Sequence, residues 1–164
     1  MKSVTRLIVP PSLFAATMQG LENRSEGWRE SAAVWAGQII ENDWVAERVI
    51  FHHELCDDRG GPLSISLTET AKFHLYQTLA ATNQRLIALL HTHPESWVDL
   101  SWVDQQNQIS SRIGFWSIVV PWYGREPWEP TTMGIHQRQT KGWERLTDDA
   151  IGNRIVIGDQ NGVL

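Results

Sequence analysis

Two short apolar runs, residues 85–93 and 115–120, each stop at a proline, Pro94 and Pro121. A compact apolar stretch that breaks at proline reads as a strand buried on both faces, because proline lacks the N–H a continuing ladder needs. These two runs therefore predict central strands. Between and before them lie helical patterns. Leu13, Phe14, Met18 and Leu21 follow Pro11 at helical spacing and predict a helix over 11–23. Residues 66–83 repeat the pattern through Leu67, Ala71, Leu75 and Leu79, with Ser66 and Glu69 at capping-box spacing. Residues 101–111 predict a third helix.

Further strands are expected at 4–9, stopped by Pro10-Pro11, and at 31–40 and 44–55, a hairpin turning at Asn42-Asp43. Residues 132–138 and 154–157 predict two more. The fold class is α/β, and 164 residues without a repeat or linker make a single domain over 1–164.

Composition removes several classes of function. Hydrophobic residues at 41% and charged residues at 20% exclude a disordered or coiled-coil chain. Fourteen basic against 19 acidic residues, with no basic cluster, argue against a nucleic-acid partner. No apolar run approaches the roughly 20 residues of a membrane span, and no signal peptide is read, so a cytoplasmic location without a membrane partner is expected. The lone Cys56 cannot form an intramolecular disulfide and removes a Cys-based zinc framework. It also has no neighbouring cation to activate its thiol. A bound metal would need His and carboxylate ligands.

The segment His91-Thr92-His93-Pro94, followed by Ser101-x-x-Asp104, offers such ligands. On a strand, residues i and i+2 share a face, so His91 and His93 aim two imidazoles one way while Thr92 points the other. On a helical turn Ser101 and Asp104 are i, i+3 neighbours. Two His and one Asp leave a tetrahedral position for water, as catalytic zinc sites do. Asp99 is the rival carboxylate, able instead to cap the helix. His52-His53 would point to opposite faces of a regular strand and reads as structural, as do His74 and His136. Among nine tryptophans, Trp97 and Trp102 bracket the ligand loop and are expected to pack it, with a substrate-channel wall as the alternative. Trp122 and Trp128 are expected to be exposed contacts.

Glutamate, then His-x-His-Pro, six residues, then Ser-x-x-Asp resembles the JAMM motif of the JAB/MPN metalloprotease family. The resemblance implies a cytidine deaminase-like fold, a mixed sheet sandwiched between helices. It also implies Zn2+ held by His91, His93 and Asp104. Its glutamate matches Glu30, with Ala33 and Gly37 at the family's small-residue and glycine spacings; Glu26 and Glu22 are alternatives. Alanine at 33 replaces the glycine often found in the family. In the implied roles, Glu30 relays the proton of the attacking water and Ser101 donates to the oxyanion.

The implied activity is zinc-dependent peptide or isopeptide hydrolysis. The substrate would be a ubiquitin-like protein or its conjugate, its C-terminal tail added as a strand, in a pathway with activating and conjugating enzymes. A non-catalytic MPN interaction module is the alternative, against which the complete motif argues. A zinc nucleoside deaminase needs a Pro-Cys-x-x-Cys pattern that one cysteine cannot supply.

Overall fold

A computed structural model describes residues 5–55, 67–106 and 109–159. Eight strands form one mixed sheet: β1 (Arg6–Val9), β2 (Ala32–Ile40), β3 (Asp43–Phe51), β4 (Arg85–Thr92), β5 (Trp116–Val120), β6 (Gly134–Gln139), β7 (Gly142–Arg145) and β8 (Ile155–Ile157). Their order is β7-β6-β5-β4-β2-β3-β1-β8. The two proline-terminated runs, β4 and β5, lie side by side and parallel in its middle, with Leu86, Ile87, Ala88 and Leu90 of β4 and all of β5 buried. Four α-helices accompany the sheet among the described residues: α1 (Pro11–Ser25), α2 (Glu69–Ala81), α3 (Trp102–Gln106) and α4 (Asp148–Arg154). The class is α/β with a mixed sheet.

Helix α1 begins with Pro11 in its first turn, where a missing N–H costs nothing, and ends on Glu26 and Gly27 in left-handed conformation. It docks on β2 and β3, and the buried Thr17 hydroxyl accepts the Trp35 indole N–H at 2.8 Å. The partner is needed because an indole N–H without one is costly in a core. β2 and β3 form the expected hairpin, but it turns at Glu41-Asn42, with Glu41 at a positive φ of 56°. A bulge interrupts the pairing at Ala36/Gly37. There a Cβ on residue 37 would sit 1.9 Å from the Val45 carbonyl oxygen, so the position requires glycine.

Several boundaries move. β3 stops at Phe51, and His52–Glu54 form a 3-10 turn closed by the Glu54 carboxylate, which accepts the Phe51 N–H at 2.6 Å. The opposite-face argument for His52-His53 therefore does not apply. Thr68 caps α2, its hydroxyl accepting the Ala71 N–H at 3.1 Å, while Glu69 pairs with Lys72. Ser66 and Cys56 lie outside the described residues. The third helix shrinks to the five residues of α3. β7 and α4 were not expected; Thr147 caps α4, accepting from the Ala150 N–H.

Candidate metal centre

His91 sits at the end of β4 and His93 just beyond it, where the His93 N–H donates to Val120 O of the parallel neighbour at 2.9 Å. Strand alternation sends Thr92 the other way. Its hydroxyl accepts the Ser31 N–H at 2.9 Å and lies 3.2 Å from Ser25 Oγ, while Ser31 Oγ donates to Leu21 O at 2.7 Å. This buried hydroxyl cluster fastens the end of α1 and the start of β2 to the residue between the two histidines. Glu30, adjacent to Ser31, is positioned by it.

The third group comes from α3. The Ser101 N–H donates to Asp104 Oδ2 at 2.8 Å, and the Asp104 N–H donates to Ser101 Oγ at 3.0 Å, a reciprocal pair that starts the helix. The cap thus orients the carboxylate. Asp104 Oδ2 lies 3.2 Å from His91 Nε2 and 3.3 Å from His93 Nε2, and the two imidazole nitrogens are 3.2 Å apart. Ligands about 2.05 Å from a tetrahedral zinc are themselves about 3.3 Å apart. These three atoms, both histidines buried and the Asp104 side chain 15% exposed, lie close enough to bind one metal ion. Asp99 does not join them: it is ion-paired with Arg145, and the helix is capped by Ser101.

His93 has a further partner that the motif did not announce. Its Nδ1 is 2.9 Å from Trp97 O, and a proton there leaves the Nε2 lone pair facing the ligand triangle. The Trp97 ring stacks on His93 with centroids 5.1 Å apart, yet it stays 54% exposed, and Trp102 is 74% exposed. Neither is the packing residue expected from sequence. Trp128 reverses the opposite expectation: it packs on the core and donates its indole N–H to Gly124 O at 2.7 Å. Trp122 is half-buried as well. His136 is buried, its Nδ1 3.3 Å from Ser117 O.

Glu30 is buried, and its Oε2 has no hydrogen-bond partner among the described residues. Burial pushes its pKa up to about 7, opposed by His93 and assisted by Asp104. Glu26, by contrast, is exposed and paired with Arg29 at 2.8 Å. Burial also resists ionisation of Asp104, but hydrogen bonds from His91, His93 and the Ser101 N–H outweigh it and hold the carboxyl well below the usual range. For His93, burial favours the neutral ring, and the hydrogen bonds to Asp104 and Trp97 O overcome it to raise the pKa. Glu30, His93, Pro94, Glu95, Trp97 and Ser101 line one open cleft of about 240 Å³. It brings Glu30 and the ligand candidate His93 into one lining, and the charges of His93 and Asp104 both act on the Glu30 carboxyl.

No protein-family model matches this chain, and no curated protein matches it in sequence. Among the described residues no helix is long and apolar enough to cross a membrane. Solved structures do match. One is a JAB1/MPN domain protein from Archaeoglobus fulgidus, at 15% identity and TM-score 0.48 over 87% of this chain and 94% of that one. Another is the solution structure of a protein from Desulfitobacterium hafniense, at 12% identity and TM-score 0.67 over 94% of both chains. This second likeness is one of fold, and the present chain shares that protein's fold along nearly its whole length.

Proposed function

We propose that this chain is a JAMM-type zinc hydrolase that cleaves a peptide or isopeptide bond, on a cytidine deaminase-like scaffold. The reading is carried by one juxtaposition: three candidate ligating atoms 3.2–3.3 Å apart, with buried Glu30 nearby, its Oε2 without a partner among the described residues. His91, His93 and Asp104 would hold the ion. When bound, zinc supplies Lewis acidity that makes water a nucleophile near neutral pH.

The chain's own groups supply the rest. Glu30 accepts the proton of the attacking water at Oε2 and returns it to the departing amine; a carboxyl with a pKa near 7 suits both directions at neutral pH. The Ser101 hydroxyl oxygen already accepts the Asp104 N–H, so its own proton is left to donate to the oxygen of the attacked carbonyl. His93, fixed by Trp97 O, keeps its Nε2 on the ligand side. The Trp97 and Pro94 side of the cleft excludes water from one face of the substrate.

The substrate in this reading is the C-terminal tail of a ubiquitin-like protein or its conjugate, in a pathway with activating and conjugating enzymes and in the cytoplasm. The free edges of the described sheet are β7 and β8, three and four strands from β4. Three strands span about 14 Å, so the tail lies in the cleft rather than along either edge. The test is direct. Purified chain should carry about one zinc per molecule, trim or release ubiquitin-like test proteins, and lose that activity to a chelator. Full activity without zinc sinks the reading.

A further inference from the structure

Glu30 is shared by two clefts of opposite character. The first, described above, is aromatic. The second, of about 280 Å³, runs between the end of α1 and the 3-10 turn and is lined by Arg24, Arg29, Glu30, Ser31, His52 and His53 among others. Within it, Arg29 is already neutralised by Glu26 at 2.8 Å. Arg24 is not. Its Nε donates to His53 Nδ1 at 2.8 Å, its Nη1 donates to Gly20 O at 3.1 Å, and its guanidinium lies 3.8 Å from the Phe51 ring centroid. None of the three is a carboxylate, and no ion pair joins Arg24 to one among the described residues. The charge of Glu54 acts on Arg24 from a distance, and that carboxylate makes its hydrogen bond to the Phe51 N–H.

A partly desolvated guanidinium with no carboxylate in hydrogen-bond contact is stabilised by an anion that reaches its free N–H groups. The geometry also orients it. His53 fixes the plane of the fork, and the Phe51 face supports it from one side, leaving planar donors for a planar acceptor. We propose that this cleft is a substrate subsite whose specificity determinant is Arg24, and that it takes a carboxylate close to the scissile bond. The inference rests on the hydrolase reading, because Glu30 is where the two clefts meet. It names the chemistry of the substrate on one side of the bond: anionic there, flat and apolar on the Trp97 side.

Binding of short peptides tests this without turnover. N-acetyl-glycyl-alanine is titrated into the chain against its C-terminal carboxamide, by calorimetry and tryptophan fluorescence, before and after chelation so that binding to an ion is separated from binding to the cleft. The acid should bind at least about tenfold more tightly than the carboxamide in both states, as a charge-assisted hydrogen bond requires. Arg24→Gln should abolish the difference. Arg24→Lys, which keeps the charge without the fork, should keep part of it, and Arg6→Gln, far from the cleft, should keep all of it. N-acetyl-aspartyl-glycinamide identifies the source: tighter binding than N-acetyl-glycyl-alanine assigns a side-chain carboxylate, weaker binding a chain terminus. Equal binding of acid and carboxamide, binding of neither, or a preference that survives in a folded Arg24→Gln chain overturns the proposal. Zinc content and activity measured on the same samples report separately on the hydrolase reading.

Discussion

In the hydrolase proposed above, Glu30 is the residue on which most of the chemistry would turn. Its burial beside the ligand triangle, without a hydrogen-bond partner for Oε2, is what a proton relay needs and what a purely structural glutamate would avoid. Glu30→Gln should retain zinc while turnover falls about 10²–10⁴-fold, checked by metal analysis and steady-state rates on the same preparation. Loss of zinc along with activity would mean the residue holds the site together instead. The raised pKa also has a stability consequence in the metal-free chain. Folded Glu30 binds its proton up to about pH 7, whereas the unfolded value is 4.5, so the folded state is favoured below pH 4.5 and that contribution is lost as pH rises through 7. Metal-free Glu30→Gln should therefore gain stability relative to the parent between pH 5 and pH 8, by up to about 3 kcal/mol, in denaturant melts. The family resemblance pointed to Glu30 over Glu26 and Glu22; its burial could not be read from the sequence, because it depends on how segments distant along the chain pack around one side chain.

At the scale of elements, the site is held by contacts that leave no mark in a motif. Thr92 is the silent middle of His91-Thr92-His93, yet its hydroxyl accepts the buried Ser31 N–H next to Glu30. Thr92→Val preserves volume but strands that N–H, at a cost of about 1–3 kcal/mol. The expected result is a lower melting midpoint and a turnover defect larger than any loss of zinc affinity. A variant with normal kcat would detach the hydroxyl cluster from Glu30 placement. Gly37, which the motif does mark, is held by a close backbone approach on the hairpin. Gly37→Ala pushes a methyl into the Val45 carbonyl at the bulge and should cost at least about 1–3 kcal/mol, read from chemical denaturation. The strands of the core were readable from apolar runs and their prolines. α3 was overextended, and β7 and α4 were missed, since Gly142–Arg145 and Asp148–Arg154 are short and carry few apolar residues for a period to show.

For the whole molecule, a metal held by His91, His93 and Asp104 would be linked to folding, because β4 and α3 meet only in the folded chain. Zinc at about 100 times its dissociation constant should stabilise the chain by about 2.7 kcal/mol and raise the melting temperature by several degrees. His91→Ala should abolish that rise, and an unchanged rise would place the ion elsewhere. By itself the sequence determined the α/β class, the central position of β4 and β5, and the shared face of His91 and His93, because alternation and proline breaks are properties of neighbouring residues. Only the tertiary structure decided that Asp104 rather than Asp99 meets the imidazoles, since Arg145 from a distant strand claims Asp99. It alone put Trp97 O behind His93, and Arg24 and Glu30 in the lining of one cleft. Contacts between segments far apart along the chain follow from how the sheet and helices pack, and no local period carries that information.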